Sequence, residues 1–300
     1  MCADVAPAKS RSSVRVDFAP FEETAAWLAG LDLERLRRDF EDNGVLPVPG
    51  LLDVTNTEVY ASLYRRMLTD EVDTSEHRHD LGSHIEGRSR VGRENVPQVM
   101  WPRLYFNAED GPLHRRALAL ARALLGPDMA LDFDMLIYKG PGEDHPFPWH
   151  QDEGYWRMGM KDVTFPDLRA TSIWVALDDV DEENGCMWMV PGSHKGECFT
   201  HAPLKEGHHT IHTCGDVDPR AEALLDRKRC YPIKAGGAVL NTGRTLHCTG
   251  GNHSTRERKA YILNFRPIEM IELERRHGFD HGRKGIGDWR PKKQRLDSTG

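Results

Sequence analysis

Apolar positions change their rhythm partway along this 300-residue chain. In the first part they recur at helical spacing. Leu33, Leu36 and Phe40 share one face of a helix that the pattern predicts to stop near Gly44. Val59, Leu63 and Met67 repeat at four-residue steps in a second helix, with Asp53 or Thr55 as its cap. GPLHRRALALARALLG reads as a third, over about 111–125, again ending at a glycine. Between the second and third lies DEVDTSEHRHDLGSHIEGRSRVGRENV (70–96), polar and aperiodic. A loop of that length is disordered or functional, for example an active-site lid.

From residue 130 short apolar runs alternate with turn signals: MALDFDMLIY, ATSIWVALDDV, CMWMV, YPIKA, AVLNT, RTLHCTG and AYILNFRP. PGED, DEENG, PGSHKG and GG punctuate them, so they read as strands. Seven or eight strands suggest a sandwich or jelly roll. Helices first and strands after make the chain α+β, with helices packed outside a β core. The expected organisation is a disordered N-terminus (1–16) and one domain (17–300). That domain has a helical part over about 20–127, a β core over about 128–267 and a C-terminal extension, 268–300.

Composition narrows the function. A net charge of −7 argues against a nucleic-acid binder, which needs a basic face. The basic tail at 281–295 reads as solvated. Six cysteines, none spaced C-x-x-C, read as reduced thiols of a cytoplasmic protein. There is no secretory h-region and no apolar run long enough for a membrane span. The expected partner is a small-molecule substrate, with neither nucleic acid nor membrane; oligomeric state leaves no mark on the sequence.

The densest chemistry sits in WHQDEGYW (149–156). On a strand, His150 and Asp152 project from one face while Gln151 points away. An imidazole and a carboxylate so placed suit adjacent positions around one metal, and a third ligand would complete a 2-His-1-carboxylate triad. The pattern leaves that third ligand open: His194 follows a turn, His208, His209 and His212 lie in a Gly- and Asp-rich loop, His253 follows GGN, and His247 sits between two strand signals. Rival chemistries find little support. There is no H-E-x-x-H helix and no phosphate loop. PGSHKG has Pro191 where a nucleophile elbow needs glycine.

Three blocks together resemble the phytanoyl-CoA dioxygenase family of Fe(II)/2-oxoglutarate oxygenases, over roughly 131–266. They are MLIYKGPGEDHPFPWHQDEGYW with its H-x-D, TSIWVALDDVDEENGCMWMVPGSHKG, and LHCTGGNHSTRER. In the last, His247, Thr249, Asn252 and Arg258 match the family's spacing of His, Ser/Thr, Asn and Arg. The resemblance implies a double-stranded β-helix, a cupin-like jelly roll. It implies that His150, Asp152 and His247 bind Fe(II), and that Arg258 pairs with the far carboxylate of 2-oxoglutarate through a two-donor fork. Thr249 is expected on the same carboxylate, with Tyr138, Met135 and Trp174 lining the cosubstrate pocket; Arg256 is the local rival to Arg258. With O2 as co-reactant, the implied reaction hydroxylates an unactivated C–H of a natural product or primary metabolite and releases succinate and CO2. Desaturation, epoxidation or ring rearrangement use the same iron chemistry. Related halogenases replace the acid with a small residue, so Asp152 argues against halogenation. Two other readings are a non-catalytic small-molecule-binding jelly roll and an iron enzyme that uses no keto acid, for which Arg258 would be idle. Trp149, Tyr155, Trp156 and Trp174 are candidate substrate-site aromatics.

Overall fold

The structure, a computed structural model, describes residues 13–82, 94–160, 163–204 and 211–284. Four helices precede most of the strands: α1 (Thr24–Ala29), α2 (Leu33–Asn43), α3 (Val54–Leu68) and α4 (Pro112–Leu125). Gly44 ends α2 in the left-handed conformation (φ 67°), which glycine adopts without a Cβ clash. Asp53, not Thr55, caps α3: its carboxylate accepts the Asn56 N–H at 2.8 Å.

The strands are β1 (Val45–Val48), β2 (Arg78–Asp80), β3 (Pro97–Met100), β4 (Met129–Lys139), β5 (Phe147–His150), β6 (Thr171–Ala176), β7 (Met187–Met189), β8 (Ala202–Pro203), β9 (His212–Thr213), β10 (Arg229–Tyr231), β11 (Ala238–Thr242), β12 (His247–Thr249) and β13 (Arg258–Pro267). Three later helices are α5 (Asp152–Gly159), α6 (Pro219–Glu222) and α7 (Ile268–Arg276). Every strand pairing is antiparallel. One sheet runs β1-β11-β6-β13-β4-β3-β2, a second β10-β7-β12-β5, and β8 pairs with β9.

Alternation along β13 sorts the layers. Tyr261, Leu263 and Phe265 face the helices and join Tyr60, Met67, Leu113 and Leu120 in one buried cluster. Ala260 and Ile262 face the other way and pack with Met187 and Met189 of the four-stranded sheet. Burying each large side chain contributes about 1.5–3 kcal/mol, so the long sheet is clamped from both sides. The molecule is therefore α+β, with helices on one outer face of antiparallel sheet. Among the described residues no helix is long and apolar enough to cross a membrane.

Two expectations change. Within the polar stretch 70–96, Arg78–Asp80 pair with Pro97–Val99 as an edge strand. Three residues are too few for a period of two to register. Residues 83–93, the middle of the expected lid, lie outside the described residues.

The second change concerns WHQDEGYW. The strand ends at His150, and Asp152 opens α5. The chain breaks direction because Gln151 is pinned on both sides: its Nε2 donates to the Arg244 carbonyl at 2.7 Å and its Oε1 accepts the Phe199 N–H at 2.6 Å. Gly154, one turn in, lies so near the His201 ring that a Cβ would approach it to 2.5 Å. Gln151 still points away from the cavity, as strand spacing expects, but the side chains of His150 and Asp152 meet at a strand-to-helix corner.

Candidate active site

Between the two larger sheets lies a cavity of about 280 Å³ whose walls include His150, Asp152, His247 and Arg258. His150 and His247 are directly paired across β5 and β12, their ring centroids 4.1 Å apart. Asp152 Oδ1 sits 3.7 Å from His150 Nε2 and 3.5 Å from His247 Nε2. One donor atom from each residue lies within 4.8 Å of the others, a span one cation can bridge. The histidine that the sequence pattern left open is thus brought to the other two by strand pairing. His194 instead contacts the Glu41 carbonyl, His253 is exposed, and His208 and His209 lie outside the described residues. His212 is buried against Tyr155, edge-on at 5.5 Å.

The hydrogen bonds behind the triad orient its donors. His150 Nδ1 lies 2.8 Å from the Pro148 carbonyl and His247 Nδ1 2.8 Å from that of Thr245. A carbonyl only accepts, so each Nδ1 carries the proton and each Nε2 turns its lone pair to the shared point. Asp152 Oδ2 accepts from Ser172 Oγ at 2.7 Å and from Asn241 Nδ2 at 3.2 Å, which leaves Oδ1 for the same point. Burial and the neighbouring His247 push the His150 imidazole down to about 3, so it is neutral. Burial also opposes charging His247, but the Asp152 carboxylate outweighs it and raises that ring. Asp152 is held below the usual carboxylate range despite its burial, by His247 and His150. The set is two imidazoles and an ionised carboxylate, the donor chemistry that suits non-haem Fe(II).

Farther along the cavity lie two buried cations. Arg258 opens β13 directly opposite Lys139 of β4. Arg258 Nε and Nη2 reach the Gly185 carbonyl at 3.3 and 3.2 Å, its guanidinium lies 5.1 Å from the Trp174 ring, and its Nη1 has no partner. Burial pushes this guanidinium down to about 10. Lys139 is lowered by burial and then by Arg258; its Nζ donates to the His145 carbonyl at 2.8 Å, Thr249 Oγ1 at 3.1 Å and the Gly250 carbonyl at 2.6 Å. Neither forms an ion pair with an acid among the described residues. Two buried cations and an orphan N–H form a place that an anion completes.

The remaining expected residues divide. Met135 and Trp174 line the cavity. Tyr138 does not: β4 alternates, so Ile137 and Lys139 take the cavity face, while Tyr138 turns to the helix side and donates to Glu257 at 3.3 Å. Thr249 does line it, with a lone pair engaged by Lys139 and its own hydrogen free to donate. Arg256 precedes the strand and is spent on Asp181 and Glu183 at the surface, so it does not compete with Arg258. Among the aromatics, Tyr155, Trp156 and Trp174 reach the cavity, whereas Trp149 packs into a separate small cluster.

Sequence reasoning missed Lys139, Ser172, Asn241 and the far wall. Strand alternation from Met135 points to Lys139. Ser172 and Asn241 sit in ordinary strand runs with nothing to mark them. Phe279 and His281 come from the C-terminal extension, where no periodicity exists. His281 stacks on Phe133 at 4.0 Å, and its carbonyl accepts from Trp101 Nε1 at 3.0 Å.

Residues 40–260 match the family model for phytanoyl-CoA dioxygenase. The chain is 31% identical over 178 residues to a probable alpha-ketoglutarate-dependent hypophosphite dioxygenase of Stutzerimonas stutzeri, which covers 57% of each protein. With ectoine dioxygenase of Streptomyces anulatus it shares 24% identity over 284 residues, 91% of each. Shorter matches, to phytanoyl-CoA dioxygenase domain-containing protein 1 of Danio rerio and Mus musculus, span 44% and 42% of those proteins. The chain therefore spans only about half the length of several relatives. Among solved structures, EvdO2 from Micromonospora carbonacea var. aurantiaca complexed with 2-oxoglutarate superposes with a TM-score of 0.59. Its identity is 26%, over 83% of this chain and 92% of that one.

Proposed function

Because the chain belongs to the phytanoyl-CoA dioxygenase family, we propose that it is an Fe(II)/2-oxoglutarate-dependent dioxygenase that hydroxylates an unactivated C–H of a small molecule. The observation that carries this reading is one cavity holding both parts: a His150–Asp152–His247 donor set, and a buried arginine with an unsatisfied N–H. We read the two facing sheets as the double-stranded β-helix and residues 17–300 as one oxygenase domain.

In this reading His150, Asp152 and His247 hold Fe(II), and the residues fit it: two imidazoles whose Nδ1 atoms are taken up by backbone carbonyls, and a carboxylate. Arg258 receives the far carboxylate of 2-oxoglutarate, with the Thr249 hydroxyl and the Lys139 charge beside it and Trp174 and Met135 as walls. Bound there, iron and the keto acid supply the oxidising power, O2 being consumed as 2-oxoglutarate becomes succinate and CO2 and one oxygen atom passes to the substrate. The protein's task is placement. Ser172 and Asn241 fix the Asp152 carboxylate, the two backbone carbonyls fix the imidazoles, and the apolar walls exclude water. Substrate would stand on the side walled by Phe133, Trp156, Phe279 and His281.

Anaerobic titration of the apo-protein with Fe(II) and then 2-oxoglutarate tests this. Wild type should gain a weak visible charge-transfer band that His247→Ala lacks, and a substrate screen by succinate release should follow. Absence of iron binding overturns the reading; iron binding without a band overturns the keto-acid half.

A further inference from the structure

The inner face of the long sheet carries a row of three polar side chains in register: Asn241 on β11, Ser172 on β6 and Asn264 on β13. Asn241 and Ser172 bond Asp152 directly. Asn264, 2% exposed and lining the cavity, reaches it only through Ser172, with its Oδ1 2.5 Å from Ser172 Oγ and its Nδ2 without a partner.

That arrangement asks too much of one hydroxyl. Ser172 has a single hydrogen and faces two acceptors, Asp152 Oδ2 at 2.7 Å and Asn264 Oδ1 at 2.5 Å. The hydrogen goes to the ionised carboxylate, because a charge-assisted bond is roughly twice as strong as a neutral one. The amide oxygen would then oppose the hydroxyl's lone pairs, and a buried N–H₂ would stay unsatisfied at a cost of about 1–3 kcal/mol. Turning the amide by half a rotation, which exchanges two atoms of nearly equal shape, removes both faults.

We propose that Asn264 is a positioning residue for Asp152: its Nδ2 donates to Ser172 Oγ, and Ser172 donates to Asp152 Oδ2. Its oxygen then takes the place of the unpartnered Nδ2 in the cavity lining. The inference rests on the proposed metal role of Asp152, since the relay matters because it holds one carboxylate oxygen away and leaves the other to ligate. Carboxylate ligands supported in this way typically lose 10–100-fold in metal affinity when the support is cut.

Two measurements test it, one with metal and one without. The first is Co(II) titration, read by binding heat and by the visible bands of the bound ion, on wild type, Asn264→Ala, Asn264→Asp and Ser172→Ala. Asn264→Ala should bind Co(II) about tenfold more weakly, with shifted bands. Asn264→Asp, nearly isosteric, should lose at least as much, because its carboxylate donates nothing and competes for the one Ser172 hydrogen. The Ser172→Ala/Asn264→Ala pair should be no weaker than Ser172→Ala alone, because the two act in series. Asn264→Asp with wild-type Co(II) affinity overturns the proposal, since it would mean that residue 264 only accepts. The second measurement uses the metal-free protein: Ser172→Ala should move the side-chain amide resonances of Asn264. Unmoved resonances overturn the relay even if wild type binds no Co(II), an outcome that would itself overturn the proposed function instead. Asn264→Asp also carries the test if the alanine variant does not fold.

Discussion

Among the described residues three clusters gather acids and imidazoles within ligating distance, and the two largely buried ones differ in what answers the charge. His150, Asp152 and His247 form one; Asp132, Glu274 and His281 form the other, its donor atoms also within 4.8 Å of one another. In the second, Arg275 pairs closely with Asp132 and Arg266 with Glu274, while His281 reaches both acids at 3.3 Å. Guanidinium groups already supply the positive charge that a metal cation would bring. In the first, no arginine or lysine pairs with Asp152 among the described residues, and Ser172 and Asn241 bond only one of its oxygens. Donor spacing alone does not distinguish a metal position from a structural ion cluster; the resident counter-charge does.

The sharpest break in the comparison is His247→Ala. It should abolish tight Fe(II) binding and lower turnover by on the order of 10³-fold or more, because several kcal/mol of metal-supplied stabilisation go with it. The fold should survive, which thermal unfolding of the apo-protein checks. At the other cluster the effects reverse. Arg266→Ala should leave Fe(II) affinity near wild type but destabilise the protein by about 1.5–3 kcal/mol, since it removes the closest partner of the fully buried Glu274 and leaves it only His281 and Arg275, at 3.3 and 3.5 Å. The lost contact with Trp156, whose ring lies 4.4 Å from the guanidinium, adds to that. Chemical denaturation with parallel metal titration separates the two clusters. A variant that lost both properties would mean they are one coupled unit.

This contrast also marks how far the sequence could be read. The layering and three helices were visible because their apolar periods are long. The H-x-D pair was visible because its spacing is short, although the local geometry is a strand-to-helix corner and not a strand face. His247 was not distinguishable from five other histidines by pattern, because its partnership with His150 is a cross-strand pairing between segments far apart in the chain. Tyr138 sits one position of alternation off the cavity face, which its neighbour Lys139 takes instead. The second cluster was invisible. Asp132 lies where β4 skips register against β13, and its partners come from α7 and the irregular segment beyond it. Nothing local in DFDMLIY announces a buried ion network.

A smaller effect is expected at the cosubstrate end. Arg258→Lys keeps the charge but removes the planar fork and the orphan Nη1 donor. It should weaken 2-oxoglutarate binding about 10–100-fold, from the loss of one or two charge-assisted bonds worth about 1.5–3 kcal/mol. Fe(II) affinity should change little. If 2-oxoglutarate binding were untouched, Lys139 would be the principal anion partner, and Lys139→Met should then show the larger loss.

The smallest expected effect is a pH dependence confined to the second cluster. Burial disfavours a charged His281, but Asp132 and Glu274 outweigh it and raise the imidazole above its ordinary value of about 6.5. Asp132, although buried, is held well below the usual carboxylate range by His281, Arg275 and Arg266. The His281 contribution is therefore complete below about pH 6.5 and fades as pH rises through its raised value; the Asp132 contribution is present above about pH 3.8 and fades only in stronger acid. Residues 277–284 should accordingly be held most firmly between about pH 4 and 6.5 and loosen in mild alkali. Hydrogen exchange of this segment, or the fluorescence of Trp101, follows the change, because Trp101 donates to the His281 carbonyl. His281→Gln should flatten the profile while leaving Fe(II) binding intact. If the wild-type profile were already flat, His281 would act by stacking on Phe133 and not by its charge, and the wall it forms would be insensitive to pH.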